Sequence, residues 1–142
     1  MKATDLMIGD KVMVKVLSQI PNTYVLHTWT ANDYSRDIQV KPIPLTPEIL
    51  EKNGFSPETF LTAEWGRKVY FKEFPGCVVE PADSGKYIFG TTKYWSETYG
   101  DGSPKDWGTM YESRIYNLQY VHELQHALRL VGLNDLADNF KI

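Results

Sequence analysis

Residues 9–17 are Gly9-Asp10-Lys11-Val12-Met13-Val14-Lys15-Val16-Leu17, a turn signal followed by alternating polar and apolar side chains. This alternation, rich in valine, is typical of a strand with one buried face. Two further strands are predicted outward from it, over residues 23–30 and 37–41. Three such strands without helices between them predict an antiparallel, SH3-like β module over about residues 1–42.

Two helices are predicted from the residues at their ends. Thr46 suits an N-cap and Gly54 suits the position after a last turn, so a short connecting helix is predicted over about residues 46–54. A longer helix is predicted over about residues 118–131, where Gly132 is the corresponding glycine.

The residues between the two helices predict more β structure. Ser56-Pro57-Glu58 repeats a helix-start signal and predicts one extra helical turn. About residues 62–117 then form a second β stretch, with Gly90 as a break. Its strand candidates are residues 68–72, 77–80, 86–89, 93–98 and 110–116. The 142 residues therefore predict a single α+β domain closed by a C-terminal helix.

The C-terminal helix is predicted to be amphipathic. At 100° per residue its apolar arc contains Tyr120, Val121, Leu124, Ala127, Leu128 and Val131. The opposite, polar face contains Gln119, His122, Glu123, Gln125, His126 and Arg129. This pattern predicts that both histidines face water or a neighbouring loop.

The polar face carries the one motif with a catalytic meaning. His122-Glu123-Leu124-Gln125-His126 matches the HExxH pattern of zinc metalloproteases. Two histidines one turn apart both reach a Zn²⁺ ion, and the glutamate activates the water bound to it. The motif makes His122 and His126 candidate metal ligands and Glu123 a candidate catalytic residue of a zinc-dependent hydrolase.

The residues after the motif depart from the metzincin pattern. Where that pattern has a glycine and a third histidine, this sequence has Arg129 and Gly132. A cation at Arg129 would oppose a metal on the same face. Substitute third ligands are Asp135, Asp138 or His27, and the sequence selects none of them. The structural interpretation is therefore a solvated helix face, and no cofactor is expected unless the HExxH interpretation holds.

Composition narrows the classes of partner. The net charge of −3 disfavours a binder of duplex nucleic acid, because such binding depends on cations that neutralise phosphates. The N-terminus has no signal peptide and no apolar run is long enough for a membrane span, so a cytoplasmic protein is expected. The single cysteine, Cys77, lies in an apolar run and is interpreted as a buried, inert thiol.

Aromatic side chains offer a second candidate surface. Tyr94, Trp95, Tyr99 and Trp107 flank a glycine-rich loop. In a small β-rich protein such residues mostly fill the core. If exposed, they would form a platform for a peptide or for single-stranded nucleic acid.

Three segments carry a family resemblance. They are residues 6–12, residues 43–55 and residues 120–130, the last beginning Tyr120-Val121-His122. In this order they resemble a family of short uncharacterised proteins of Bacteroides-type gut bacteria, their phages and other mobile elements. The family's C-terminal pattern has no fixed residue at Glu123 and accepts histidine or asparagine at His126. The resemblance therefore implies a β module, a connecting helix and a closing helix, without an assigned activity.

Three functions are open from the sequence. The leading hypothesis is a non-enzymatic accessory or interaction protein of a mobile element or phage, with a protein partner or self-association. The alternatives are a zinc-dependent hydrolase centred on the HExxH residues and a binder of single-stranded nucleic acid that uses exposed aromatics.

Overall fold

A computed structural model describes residues 1–17, 23–61, 66–72, 76–98 and 104–142. Within these ranges, only the backbone is described for residues 59–61, 66–68, 83, 92–98 and 104–113. The predicted α+β class is confirmed, with one antiparallel sheet of three strands, one of five and few helices. The chain, for which the sequence predicts one domain, divides into two compact units. Unit 1 is Met1–Ile49 with Gln119–Ile142, and unit 2 is Leu50–Leu118.

The three-stranded sheet belongs to unit 1. Its strands are β1 (Lys11–Val16), β2 (Val25–Thr28) and β3 (Ile38–Lys41), in the order β2-β1-β3. Both neighbours run antiparallel to β1. The central strand is buried on one face as its alternation predicts, because Val12 and Val14 are almost completely buried whereas Lys11, Met13 and Lys15 are only partly covered.

The core of unit 1 joins this sheet to the C-terminal helices. Leu6, Val12, Val14 and Trp29 form one hydrophobic cluster. Helix α2 (Val121–Leu130) lies against β1 and against a short helix α3 (Asn134–Asp138), which the sequence did not predict. The buried apolar residues of these two helices are Val121, Leu124, Ala127, Leu128 and Ala137.

The predicted polar face of α2 is wrong at two positions. His122 is 6% exposed and Gln125 is 0% exposed, so both are buried. For Gln125 the physical reason is a set of hydrogen bonds that satisfies its side-chain amide, described below. Helix α2 is also shorter than predicted, because Leu118 ends a strand of unit 2.

The connecting helix is confirmed with its predicted ends. Helix α1 is Pro47–Lys52, and the hydroxyl oxygen of Thr46 accepts a hydrogen bond from the Ile49 N–H at 3.3 Å. Gly54 has a φ of +84°, which an L side chain adopts only with strain. The local signals therefore set the ends of this helix, and the completely buried Leu50 anchors it in the core.

Unit 2 contains the five-stranded sheet, in the order β4-β5-β6-β7-β8. All of its strand pairs are antiparallel. The strands are β4 (Ser56–Leu61), β5 (Gly66–Lys72), β6 (Cys77–Pro81), β7 (Tyr87–Thr98) and β8 (Pro104–Leu118). Among the side chains of this unit that the structure describes, the buried apolar ones are Leu50, Phe55, Val69, Tyr70, Cys77, Val78, Val79, Tyr87, Phe89 and Leu118.

Two predictions fail in unit 2. Residues 56–58 begin strand β4 rather than a helical turn. Gly90 does not break a strand, because it lies inside β7, where it pairs with Val78 on one side and Arg114 on the other. A glycine flanked by two paired strands keeps its backbone hydrogen bonds, and tertiary pairing then outweighs its low strand propensity.

The thiol of Cys77 is buried, as predicted, with 0% of the residue exposed. Burial raises the pKa of this thiol to about 12, against the smaller opposing effect of Lys72. The thiol is therefore protonated near neutral pH and is a poor nucleophile. Among the helices of the described residues, none combines the length and the apolar character needed to cross a membrane.

Candidate functional site

The site is built on the turn that leads into β1. Gly9 has a φ of +95°, and its N–H donates to the carbonyl of Trp29 at 2.8 Å. An added Cβ would lie 2.9 Å from Nη2 of Arg129, in a backbone conformation that strains an L residue. The glycine therefore lets the backbone approach helix α2 closely and directs the next side chain, Asp10, towards that helix.

The carboxylate of Asp10 is the centre of the site. The residue is 0% exposed, and both of its carboxylate oxygens accept short hydrogen bonds. Nη1 of Arg129 donates to Oδ1 at 2.6 Å, Nε2 of His126 lies 2.6 Å from Oδ2, and the Met7 N–H donates to Oδ2 at 2.8 Å. We call Asp10, His126 and Arg129 the Asp10 cluster.

The Asp10 cluster keeps its carboxylate charged. Burial alone would raise the pKa of Asp10, but the hydrogen bonds from His126, the Met7 N–H and Arg129 outweigh it. The pKa of Asp10 is therefore below its ordinary value of 3.8. An anion that is buried and paired in this way stabilises the fold only while its partners remain in place.

Gln125 connects the same turn to both C-terminal helices. Its Oε1 accepts the Lys11 N–H at 2.8 Å, and its Nε2 donates to the carbonyls of Gly9 at 3.1 Å and Ala137 at 2.9 Å. One buried amide therefore makes three hydrogen bonds to backbone groups, so its own polar atoms are satisfied. This explains why a polar residue occupies the interior.

The three defining residues of the HExxH motif, His122, Glu123 and His126, all contact other groups of the protein. Oε1 of Glu123 accepts the N–H groups of Gln119 at 3.1 Å and Tyr120 at 3.0 Å, so this carboxylate caps the start of α2. His126 belongs to the Asp10 cluster. His122 is buried, its ring stacks on Tyr120 with centroids 6.0 Å apart, and it meets the His126 ring edge-on at 5.6 Å.

Burial also holds the pKa of His122 below its ordinary value, and the neighbouring His126 lowers it further. The carboxylates of Glu123, Asp10 and Asp5 act in the opposite direction without reversing the shift. Both histidines, with Glu123, Tyr120 and Asp5, line an open cleft of about 460 Å³. The cleft is therefore lined by the neutral imidazole of His122, by His126 of the Asp10 cluster and by the carboxylates of Asp5 and Glu123.

The residues of the motif do not fit a zinc centre. The nitrogen of His126 that would bind the metal faces Asp10, and Glu123 is occupied as a cap. The three proposed third ligands lie elsewhere: His27 pairs with Asp33, Asp138 contacts Arg129, and Asp135 lies exposed in α3. Within the described ranges, no group of three or more His, Cys, Asp or Glu residues is arranged to hold a metal ion. The sequence predicts that the positive charge of Arg129 opposes a metal on the same face. In the structure this charge is neutralised by the carboxylate of Asp10.

We expect the purified protein to contain no stoichiometric zinc, because His126 and Glu123 are held by other partners. Inductively coupled plasma mass spectrometry of protein purified without chelator or added metal tests this. His122→Ala is the matched control, since it removes one candidate ligand and leaves the Asp10 cluster intact. Zinc near one equivalent that is lost in His122→Ala would contradict the expectation and restore the hydrolase hypothesis.

A second buried carboxylate, Asp33, has the same kinds of partner. Its Oδ2 lies 2.7 Å from Nε2 of His27 and accepts the N–H and hydroxyl of Thr30, while Nη1 of Arg36 donates to Oδ1 at 3.1 Å. Burial raises the pKa of Asp33, but the hydrogen bonds from His27 and Thr30 outweigh it and lower the pKa to about 2. The cluster ties β2 to the 3-10 turn at Ala31–Ser35, and so it has a structural role.

Sequence reasoning missed both aspartates as site residues. The signal for Asp33 was local, since Thr30, Asp33 and Arg36 are spaced by three residues. Asp10 was read only as a turn residue, and its partners lie 116 and 119 positions away along the chain. No periodicity in the sequence joins residues so far apart.

The side chains of the predicted aromatic surface are outside the part of the protein that the structure describes. They are Tyr94, Trp95, Tyr99 and Trp107. Tyr94, Trp95 and Trp107 lie in strands β7 and β8, where only the backbone is described, and Tyr99 lies beyond the described ranges. This candidate surface stays a prediction.

The three segments that carry the family resemblance contribute to one another's structure. Residues 9–11 contact α2 through Gln125, His126 and Arg129. The Val121 N–H donates to the carbonyl of Ile43 at 2.9 Å, so the middle segment also meets the last one. The resemblance itself stays a prediction. Comparison with protein-family models, with curated proteins and with solved structures gave no match.

Proposed function

We propose that this protein is a non-enzymatic interaction protein of a bacterial mobile element or phage, and that it works in the cytoplasm. Its N-terminal sheet acts as an SH3-like module that binds a partner protein along strand β2. The observation that carries this proposal is a run of exposed apolar residues at β2, an outer strand among those that the structure describes: Tyr24 is 38% exposed, Val25 54% and Leu26 51%.

The contacts of the HExxH residues support a role without catalysis. Glu123 caps a helix, His126 lies within hydrogen-bond distance of the buried Asp10 carboxylate, and Arg129 neutralises it. His126 and Arg129 thereby hold α2 against the turn before β1. A zinc hydrolase would need the same atoms for metal and water.

The position of β2 favours docking by strand addition. It is an outer strand of the sheet order β2-β1-β3 and its side chains are largely exposed. Exposed apolar edge strands commonly accept an extended segment of another chain, and proteins that do not use such an edge usually protect it with charge or proline. Large exposed apolar side chains grouped at one place are also typical of interaction sites.

The backbone pattern identifies which groups a partner strand would meet. The Trp29 N–H donates to the carbonyl of Asp10 at 2.8 Å. Because hydrogen-bonded pairs alternate in an antiparallel ladder, Val12 with His27 and Val14 with Val25 are then the bonded pairs. The N–H and carbonyl groups of Leu26 and Thr28 consequently point away from β1, where an added strand would pair with them.

Peptides selected from a random ten-residue display library test this docking, with the wild-type protein as bait. We expect selected peptides to protect the Leu26 and Thr28 amides from hydrogen exchange, measured by nuclear magnetic resonance. Leu26→Pro should abolish binding, since it removes an outward N–H without breaking a bond to β1. Leu26→Ser is the matched control, which loses the apolar side chain but keeps the N–H, and it should only weaken binding.

Peptides that protect amides elsewhere, or that bind Leu26→Pro and Leu26→Ser equally, would contradict docking at β2. Sedimentation of the free protein adds a separate result. A dimer that Leu26→Pro dissociates would identify the partner as a second copy of the chain.

A further inference from the structure

The outer face of the three-stranded sheet carries three lysines, although the protein as a whole is acidic. Val12 and Val14 face the core, so their neighbours along β1 form the opposite face. Residues that pair directly share a face, which adds the partners on β2 and β3. The residues of this outer face are Lys11, Met13, Lys15, Leu26, Thr28, Gln39 and Lys41.

Three lysines on the outer face are arranged in a zigzag. Lys41 pairs with Met13, so Lys11 and Lys15 are its two diagonal neighbours on β1. Diagonal neighbours in a sheet lie about 7–8 Å apart, within reach of long side chains. None of the ion pairs between described residues includes any of these lysines. Alternate residues of β3 lie on this face, and the same alternation places Asp37, just before the strand, there as well. Asp37 is the one acid that it adds, so positive charge predominates.

An aromatic ring lies between two of the cations. Nζ of Lys15 is 5.2 Å from the centroid of the Tyr24 ring, and Nζ of Lys41 is 5.7 Å from it. Both distances are within the range of a cation–π interaction. Two like charges are therefore held beside one ring, and an anion placed there would relieve their repulsion.

We propose that this outer face binds single-stranded nucleic acid. This goes beyond docking of a protein at β2, because it concerns the lysines of the face; Tyr24 belongs to both surfaces. The lysine zigzag neutralises successive phosphates, and Tyr24 offers a ring on which a base stacks once the flexible lysines move to the phosphates. An acidic peptide would use the lysines alone, so the ring between them favours nucleic acid.

The proposal is tested by fluorescence anisotropy with a labelled oligothymidylate of about 15 nucleotides, titrated at several NaCl concentrations from about 20 mM upward. With three phosphates neutralised, the logarithm of the association constant should fall against the logarithm of salt with a slope of about −2. The double variant Lys15→Gln/Lys41→Gln should reduce that slope to about −0.7. Lys52→Gln/Lys86→Gln changes the net charge equally and should leave the slope unchanged.

A separate variant tests the ring. Tyr24→Ala should weaken binding about fivefold or more, as expected for loss of one stacked base, while the salt slope stays constant. Thermal melts of all variants establish that each one folds.

Four results would overturn the proposal. They are no binding at about 20 mM NaCl, an equal loss of slope in both double variants, equal affinity for duplex DNA, and equal affinity for an oligo-aspartate of matched charge. The last result would assign the face to an acidic peptide.

Discussion

Replacing Asp10 with alanine is expected to lower the free energy of unfolding by about 3–5 kcal/mol. The substitution leaves Arg129, whose side chain is 12% exposed, without its short ion pair, and it removes the partner of His126. A buried cation without a counter-charge is costly, and this cost accounts for the size of the effect. Urea unfolding followed by circular dichroism measures the change.

The control for Asp10→Ala is Asp138→Ala, which removes the second carboxylate near Arg129. Asp138 is 58% exposed and lies 3.4 Å from Nη2 of Arg129, so its loss should cost about 0–1 kcal/mol. Equal effects of the two variants would show that Asp10 is not the main counter-charge of Arg129.

The lowered pKa of Asp10 predicts how the stability of the protein changes as the pH falls. Folding lowers the pKa of Asp10 below 3.8, so its contribution to stability is complete above about pH 4. That contribution is lost as the pH falls through the lowered pKa, when the carboxyl gains a proton. The wild-type protein should therefore lose more stability below about pH 4 than Asp10→Ala does.

The second large effect is expected from Leu128→Ala, which should lower the free energy of unfolding by about 2–5 kcal/mol. Leu128 is 0% exposed in the core face of α2, so truncation removes buried surface and leaves a cavity. For a domain with a total stability of about 5–15 kcal/mol, this is a large fraction. Leu124→Ala, at an equally buried position, should behave alike.

Helix α2 supplies a chemically identical control two residues away. Leu130 is 78% exposed, so Leu130→Ala should change stability by no more than about 0.5 kcal/mol. A thermal melt of the two leucine variants in one buffer makes the comparison. Similar losses in both variants would mean that Leu130 is covered in solution, for example by a second copy of the chain.

Local signals in the sequence predicted much of the fold. The alternation after Gly9-Asp10 identified β1, and the caps at Thr46 and Gly54 identified α1. These features depend on residues within a few positions of each other, which a sequence displays directly. Gly90 was misjudged because a paired strand on each side supplies stability that its own propensity does not.

The candidate site was less predictable for a related reason. The spacing of His122 and His126 shows that both side chains lie near one face of a helix, but it does not show what meets that face. The helix meets Asp10, at the other end of the sequence, and this contact turns a metal motif into an ion-paired cluster. The alternation of polar residues likewise gave no sign that Gln125 is buried, because its partners are backbone groups.

The hydrogen bonds of the Gln125 amide also bear on the order in which the two units fold. It joins Lys11 and Gly9 to a residue 114 and 116 positions later, so unit 1 closes only when α2 is present. Unit 2 is one continuous segment whose strands each pair with the next in sequence. Loop closure over long separations is slow, so we expect the five-stranded sheet to form first during synthesis. The N-terminal turn then packs only after α2 has left the ribosome, and the carboxylate of Asp10 stays solvated until Arg129 arrives.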